Sequence, residues 1–107
     1  MLNYNKATIV GRLIRDSETS LLEAESVLKF TIATNLIWTN KDGTLGEEVE
    51  FHNILVYGKR IDKFEKVLKK STLVLVEGSI KTRRWTDVKG DKRQAKEIVA
   101  DIIQYLK

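Results

Sequence analysis

Two tryptophans sit among charges rather than apolar neighbours. In Lys81-Thr82-Arg83-Arg84-Trp85-Thr86-Asp87, strand alternation puts Lys81, Arg83, Trp85 and Asp87 on one face. An indole among three charged neighbours is a poor candidate for full burial. Trp38 closes an alternating stretch just before Thr39-Asn40-Lys41-Asp42-Gly43, again beside a basic residue. Lys and Arg neutralise phosphates while an aromatic ring stacks on a base, each stack being worth about 1–3 kcal/mol whatever the base. Arg also stacks on rings. The competing account is a structural tryptophan covered by arginine stems. Recurrence of the aromatic-plus-basic pairing in two separate loops favours a nucleic acid.

A second aromatic pair lies in Glu50-Phe51-His52-Asn53-Ile54-Leu55-Val56-Tyr57. Alternation places Phe51, Asn53, Leu55 and Tyr57 on one face and His52, Ile54 and Val56 on the other. Phe51 and Tyr57 could form a stacking platform or belong to the core, and the pattern by itself favours the core. His52, the one histidine, falls on the opposite face and reads as structural, in the core or at a subunit contact. A single imidazole makes no histidine-based metal cluster, and the absence of cysteine excludes thiolate metal sites and thiol catalysis. Asp16, Glu18, Glu23, Glu25, Glu47, Glu48 and Glu50 fall mainly in apparent loops with no defensible pairing for a metal-dependent nuclease. The chain therefore reads as a binding protein and not an enzyme, with no cofactor and no metal.

The elements that position these residues are mostly strands. Residues 7–14 are rich in β-branched and apolar types, with Gly11 marking a bend or bulge. Residues 27–37 alternate, with Phe30, Ile32, Thr34 and Leu36 opposed to Lys29, Thr31, Ala33 and Asn35. Residues 49–57 follow the Lys41-Asp42-Gly43 turn. An apolar run over 73–80 continues to residue 88, where Lys89-Gly90-Asp91 reverses the chain. Residues 94–106 fit either a helix or a strand, and pairing across the Gly90 turn favours a strand. One segment is plainly helical: Ile61, Phe64 and Leu68 recur at helical spacing between Arg60 and Lys70. The order predicts an all-β fold, a five-stranded OB-fold barrel with one short helix between the third and fourth strands.

Length supports one domain over residues 1–107 with a single core. Net charge is only +4, but its distribution is uneven. Residues 81–96 carry seven basic and two acidic side chains and residues 59–70 carry six and two, whereas residues 16–25 carry four acids and no base. Clustered positive charge is a footprint for a polyanion, although solvated faces can carry the same pattern. No apolar run reaches the ~20 residues of a membrane helix. Met1-Leu2-Asn3-Tyr4-Asn5-Lys6 lacks the regions of a signal peptide. The expectation is a soluble intracellular protein without a membrane partner, or the mature form of an imported one.

Taken in order, several segments resemble the bacterial and mitochondrial single-stranded DNA-binding (SSB) family. They are Asn5-Lys6-Ala7-Thr8-Ile9-Val10-Gly11-Arg12-Leu13, Phe30-Thr31-Ile32-Ala33-Thr34-Asn35 with Trp38, Glu50-Phe51-His52-Asn53, Val56-Tyr57-Gly58-Lys59, and Val76-Glu77-Gly78-Ser79-Ile80-Lys81 running on to Asp87. The resemblance implies sequence-independent binding of single-stranded DNA by a homotetramer, in replication, recombination and repair. It implies stacking by Trp38, Phe51, Tyr57 and Trp85. It implies backbone contacts from Lys6, Arg12, Lys41, Lys59, Lys70, Lys81, Arg83 and Arg84, and a subunit-interface role for His52. It implies a cytoplasmic, nucleoid-associated protein, or one of the mitochondrial matrix. Departures are Phe51 where Trp is common, Tyr57 where Phe is common, and no proline in Asp16-Ser17-Glu18. Leu21 to Ser26 lacks the usual glycine, and Lys69-Lys70-Ser71 stands for a common Lys-Gly ending. The chain stops at Lys107 without the acidic tip that recruits partners in many bacterial members, so no such recruitment is expected from it. The alternative is an OB-fold replication accessory of primosome type, acting mainly through protein contacts. An OB-fold nuclease and an RNA-binding barrel are further rivals.

Overall fold

The computed structural model describes residues 2–107, so Met1 of the N-terminal segment lies outside the described residues. Six strands and one helix follow in order: β1 (Ala7–Leu13), β2 (Glu18–Leu22), β3 (Glu25–Thr39), β4 (Leu45–Tyr57), α1 (Ile61–Val67), β5 (Leu73–Thr86) and β6 (Lys92–Tyr105). β1 pairs with β5, β5 with β6, β6 with β4, β4 with β3, and β3 back to β1. Those five strands form a closed ring, as the OB layout requires. Only the β4–β6 contact is parallel, through Ile54↔Ile98 and Leu55↔Val99.

The sixth strand, β2, corrects the reading of residues 16–25 as a loop. It pairs with β3 from Glu18↔Lys29 to Leu22↔Glu25. β1 reaches β3 only at Ala33 and Ile32, so the edge of β3 beyond that point is open, and β2 satisfies its backbone groups. The hairpin closes through Glu23 (φ 51°) and Ala24 (φ 67°). A two-residue turn of this kind needs positive φ at both positions and is normally made with Asn and Gly. Ser71, which stands where the resembled family commonly has a glycine, is also left-handed at φ 74°.

Alternation decides the core. Leu28, Phe30 and Ile32 of β3 point inward with Ile54 and Val56 of β4, Val74 and Val76 of β5, and Ile98 and Ala100 of β6. Each fully buried aliphatic side chain contributes about 1.5–3 kcal/mol. α1 lays Ile61 and Phe64 against one end of this core, and Leu68, just past the helix, is fully buried. Arg60 ties the helix entry to β6 by donating to the Asp101 and Ala100 carbonyls at 2.7 and 2.8 Å. A bulge at this point of β6 shifts the register between Glu77↔Ile102 and Gly78↔Ala100. Gly11 lets β1 cross close over β3, since a Cβ there would meet Ile32 and lie 2.5 Å from the Ala33 carbonyl oxygen.

Two pairs of strands outrun the barrel. The β3–β4 ladder continues to Thr39↔Leu45 and the β5–β6 ladder to Thr86↔Lys92. The outer parts of these long hairpins are two-stranded arms, and they help stretch the molecule to 53 Å along its longest axis. Leu36, Ile37 and Leu45 on the first arm are exposed.

Candidate nucleic-acid interface

Each arm carries one tryptophan at the second pair from its tip: Trp38 opposite Gly46, and Trp85 opposite Arg93. The turns beyond them are built alike. Asn40 and Asp87 each donate their backbone N–H to the carbonyl of the fourth residue on, Thr44 and Asp91, at 2.8 and 2.9 Å. Gly43 and Gly90 each donate back to the carbonyls of Asn40 and Asp87 at 3.0 Å. Both glycines have left-handed φ, 89° and 88°, which an L side chain adopts at a cost of about 1–2 kcal/mol. The sequence contains the signal twice, as Trp38-Thr39-Asn40-Lys41-Asp42-Gly43 and Trp85-Thr86-Asp87-Val88-Lys89-Gly90. Reading the two turns separately misses this repeat of Trp-Thr-Asx-x-x-Gly.

The turns hold the indoles out. Trp38 is 42% exposed and Trp85 39%, so neither is a core residue. Trp38 lies over Gly46, where a Cβ would sit 2.5 Å from its Nε1, and Nε1 donates to Asn40 Oδ1 at 2.9 Å. Asp87 accepts from the Lys89 and Asp91 backbone N–H groups at 2.9 Å and forms an ion pair with Arg93 at 2.8 Å. The Arg93 hydrogen bond, followed by those backbone donors, holds the Asp87 carboxyl below the usual aspartate range.

The outward face of β4, β5 and β6, together with the β2–β3 hairpin, forms a groove of about 610 Å³. Leu55 and Val99 line it with Tyr57, and Lys81, Arg83 and Arg84 stand along it with Glu23, Glu25 and Glu97. Leu55 is the buried member of the face that alternation grouped with Phe51 and Tyr57. Tyr57 is half-buried. Burial first, then the nearby Glu25 and Glu97, raise its phenol above the ordinary value of 10.0. Phe51 is 61% exposed, which removes the core reading, and lines an adjoining hollow with Ile80 and Lys96. Trp85 lines another with Arg84, Lys92 and Arg93.

The structure thus brings Tyr57, Lys81, Arg83 and Arg84 to one groove, with Phe51 and Trp85 in flanking hollows. Trp38 and Lys41 are separate, at the tip of the β3–β4 arm, where unbroken pairing puts Trp38 on the opposite pleat face from Phe51. Lys6, Arg12, Lys59 and Lys70 do not line the groove. Lys6 bridges to Glu77 at 2.8 Å, and that hydrogen bond raises its pKa. Arg12 donates to the Ser71 carbonyl at 2.8 Å. His52 is half-buried, with Nε2 2.9 Å from Thr34 Oγ1. Residue-by-residue reading missed Glu97, Lys96, Lys92 and Arg93, because only the β5–β6 register places them beside the aromatics. It also left Glu18, Glu25, Glu47 and Glu48 in apparent loops, whereas they lie in strands. Among the described residues no group of three or more His, Asp or Glu could hold a metal ion, and no helix is long and apolar enough to cross a membrane.

A closed five-strand ring with aromatic and basic side chains on its outward face defines an OB-fold barrel. Comparison with known proteins agrees. The model of the single-strand binding protein family matches residues 4–106. The single-stranded DNA-binding protein of Wolinella succinogenes is 38% identical over 104 residues, which cover 96% of this chain and 64% of that protein. The Neisseria meningitidis serogroup A protein of the same name is 36% identical over 98% of this chain and 61% of its own length. The solved structure described as Plasmodium falciparum SSB complex with ssDNA superposes with a TM-score of 0.83 at 28% identity, covering 100% of this chain and 98% of that one. A Thermus aquaticus single-stranded DNA-binding protein, at 22% identity and TM-score 0.79, shares the fold. This chain belongs to the single-strand binding protein family, and it spans a little under two thirds of the length of the bacterial relatives it matches.

Proposed function

We propose that this protein binds single-stranded DNA without sequence preference and without turnover, protecting and organising it in replication, recombination and repair. The observation that carries the reading is the pair of part-exposed indoles on matched arm turns, Trp38 and Trp85, together with the gathering of Tyr57, Lys81, Arg83 and Arg84 in one groove. Trp38, Phe51, Tyr57 and Trp85 stack bases. Lys41, Lys81 and Arg84 stand where phosphates pass, while Lys6, Arg12, Lys59 and Lys70 meet a strand that continues around the barrel. The solved relative in complex with single-stranded DNA supports the choice of ligand. We further propose a homotetramer with His52 at a subunit contact, acting on the bacterial nucleoid, since the curated relatives above are bacterial.

The test is a tryptophan-fluorescence titration with an oligothymidine, at low and high salt, against duplex DNA of equal charge. The expected result is strong quenching by the single strand, little by the duplex, and affinity falling with salt at a slope of about −0.7 per neutralised phosphate. No quenching and no preference over duplex would sink the reading and favour the primosome-type accessory. An oligouridine arm decides between DNA and RNA. Sedimentation equilibrium tests the tetramer, which a monomer mass refutes.

A further inference from the structure

Three side chains on β5 and β6 form a relay that a simple phosphate-contact role for Arg83 leaves unexplained. Lys81 is the register partner of Glu97 and Ala95 that of Arg83, so Arg83 reaches diagonally to Glu97. It does so with two donors, Nε to Oε1 at 2.8 Å and Nη2 to Oε2 at 3.3 Å. The Glu97 side chain is 5% exposed and that of Arg83 24%. The guanidinium carbon in turn lies 4.3 Å from the centroid of the Trp85 ring. Glu97 also lines both the Tyr57 groove and the Phe51 hollow, so it stands at the junction of the aromatic positions.

A buried carboxylate is tolerated when it is paired, and removing its partner leaves an uncompensated charge. For Arg83 to turn towards a phosphate, Glu97 would be left in that state. The planar fork suits the carboxylate and stacking on an aromatic face at the same time, and its geometry here does both. Lys81 and Arg84 are exposed along the same strand and free to meet a polyanion. We infer that Glu97 and Arg83 are positioning residues: Glu97 holds the guanidinium, which backs one face of Trp85 and leaves the other face to a base, and Arg83 does not neutralise a phosphate. The inference rests on the DNA-binding reading above.

The experiment uses a Trp38→Phe background, in which Trp85 is the sole tryptophan. Three variants are compared with that parent: Glu97→Gln, Arg83→Lys, and Arg83→Met with Glu97→Gln. The double variant removes both charges together, so no buried charge is orphaned and folding is the least disturbed. Two quantities are read: the Trp85 emission and near-ultraviolet circular dichroism of the free protein, and oligothymidine affinity across a salt series. The expected result is an altered Trp85 signal before any DNA is added. Binding should weaken roughly 2- to 30-fold, the range of a cation–π contact, at an unchanged salt slope. Arg83→Lys should not rescue, because lysine keeps the charge and loses the fork. A slope smaller by about 0.7 in the double variant would make Arg83 a phosphate contact and overturn the inference. So would an unmoved Trp85 signal, or variants that bind like the parent. A parent that ignores the oligomer overturns the DNA-binding reading and this role with it, and that outcome is distinct from a parent that binds with variants as its equals.

Discussion

Replacing Gly46 by alanine tests whether the Trp38 indole must lie where the arm holds it. The added Cβ would sit 2.5 Å from Trp38 Nε1 and Cζ2, and ordinary contact begins at 3.4 Å. The ring must retreat by roughly 1 Å, because repulsion at the shorter distance outweighs any dispersion gain. That retreat stretches the 2.9 Å bond from Nε1 to Asn40 Oδ1 past useful geometry. The indole is 42% exposed, so it can swing outward, which avoids the full overpacking cost of about 1–3 kcal/mol. What remains is chiefly one exposed hydrogen bond, worth about 0.5–1.5 kcal/mol. Stability to urea should therefore fall by only about 1 kcal/mol. Single-strand affinity should fall by the loss of one stack, about 1–3 kcal/mol, or roughly 5- to 150-fold. The assay is oligothymidine titration followed by Trp85-independent anisotropy of a labelled strand. In a Trp38→Ala background the Gly46→Ala change should become silent, because the two act through the same ring. Wild-type affinity for Gly46→Ala with a displaced indole would refute stacking at Trp38. An equal loss in the Trp38→Ala background would place the effect in the arm's backbone instead.

Trp85→Ala should weaken binding by about 1–3 kcal/mol with a cooperative unfolding transition retained, since the ring is 39% exposed; circular dichroism checks the fold. Ala24→Gly should stabilise the protein by up to about 1 kcal/mol, the left-handed penalty at φ 67° less the extra backbone entropy of glycine; the readout is the urea midpoint. The Asp87 carboxyl has a lower pKa folded than unfolded, so its contribution is present above the unfolded value near 3.9 and is lost as pH falls through the folded value. Acidification below about pH 4 should thus loosen the Asp87–Asp91 turn, seen as exchange broadening of the Gly90 amide, and Asp87→Asn should show the loosened turn already at neutral pH.

Much of the barrel was legible because a strand's side chains alternate with period two. Phe30 and Ile32 opposed to Lys29 and Thr31, and Ile54 and Val56 opposed to Phe51 and Tyr57, could be sorted by face from the residue types alone. Which of those two faces is core is decided by closure: Ile54 and Val56 meet Val74, Val76 and Ile98 only once β4 pairs with β6 and β1 with β3. Ile61, Phe64 and Leu68 likewise predicted the helix but not the barrel end it covers. The tryptophans stood out because charged neighbours make burial expensive, and Gly43 and Gly90 were visible as turn residues, whereas Asp87 was read on the strand and instead opens its turn. Three things depended on the tertiary structure. β2 covers the edge of β3 left open on the N-terminal side of Ile32, although Glu23 and Ala24 are poor residues for its turn. The bulge in β6 between the partners of Glu77 and Gly78 shifts the pairing by one residue. The β5–β6 register beyond it sets Glu97 diagonally from Arg83, whose guanidinium lies against Trp85. Local composition specifies which way a side chain points on its own strand, but its neighbours on the next strand follow from register, which turns, bulges and ring closure set together.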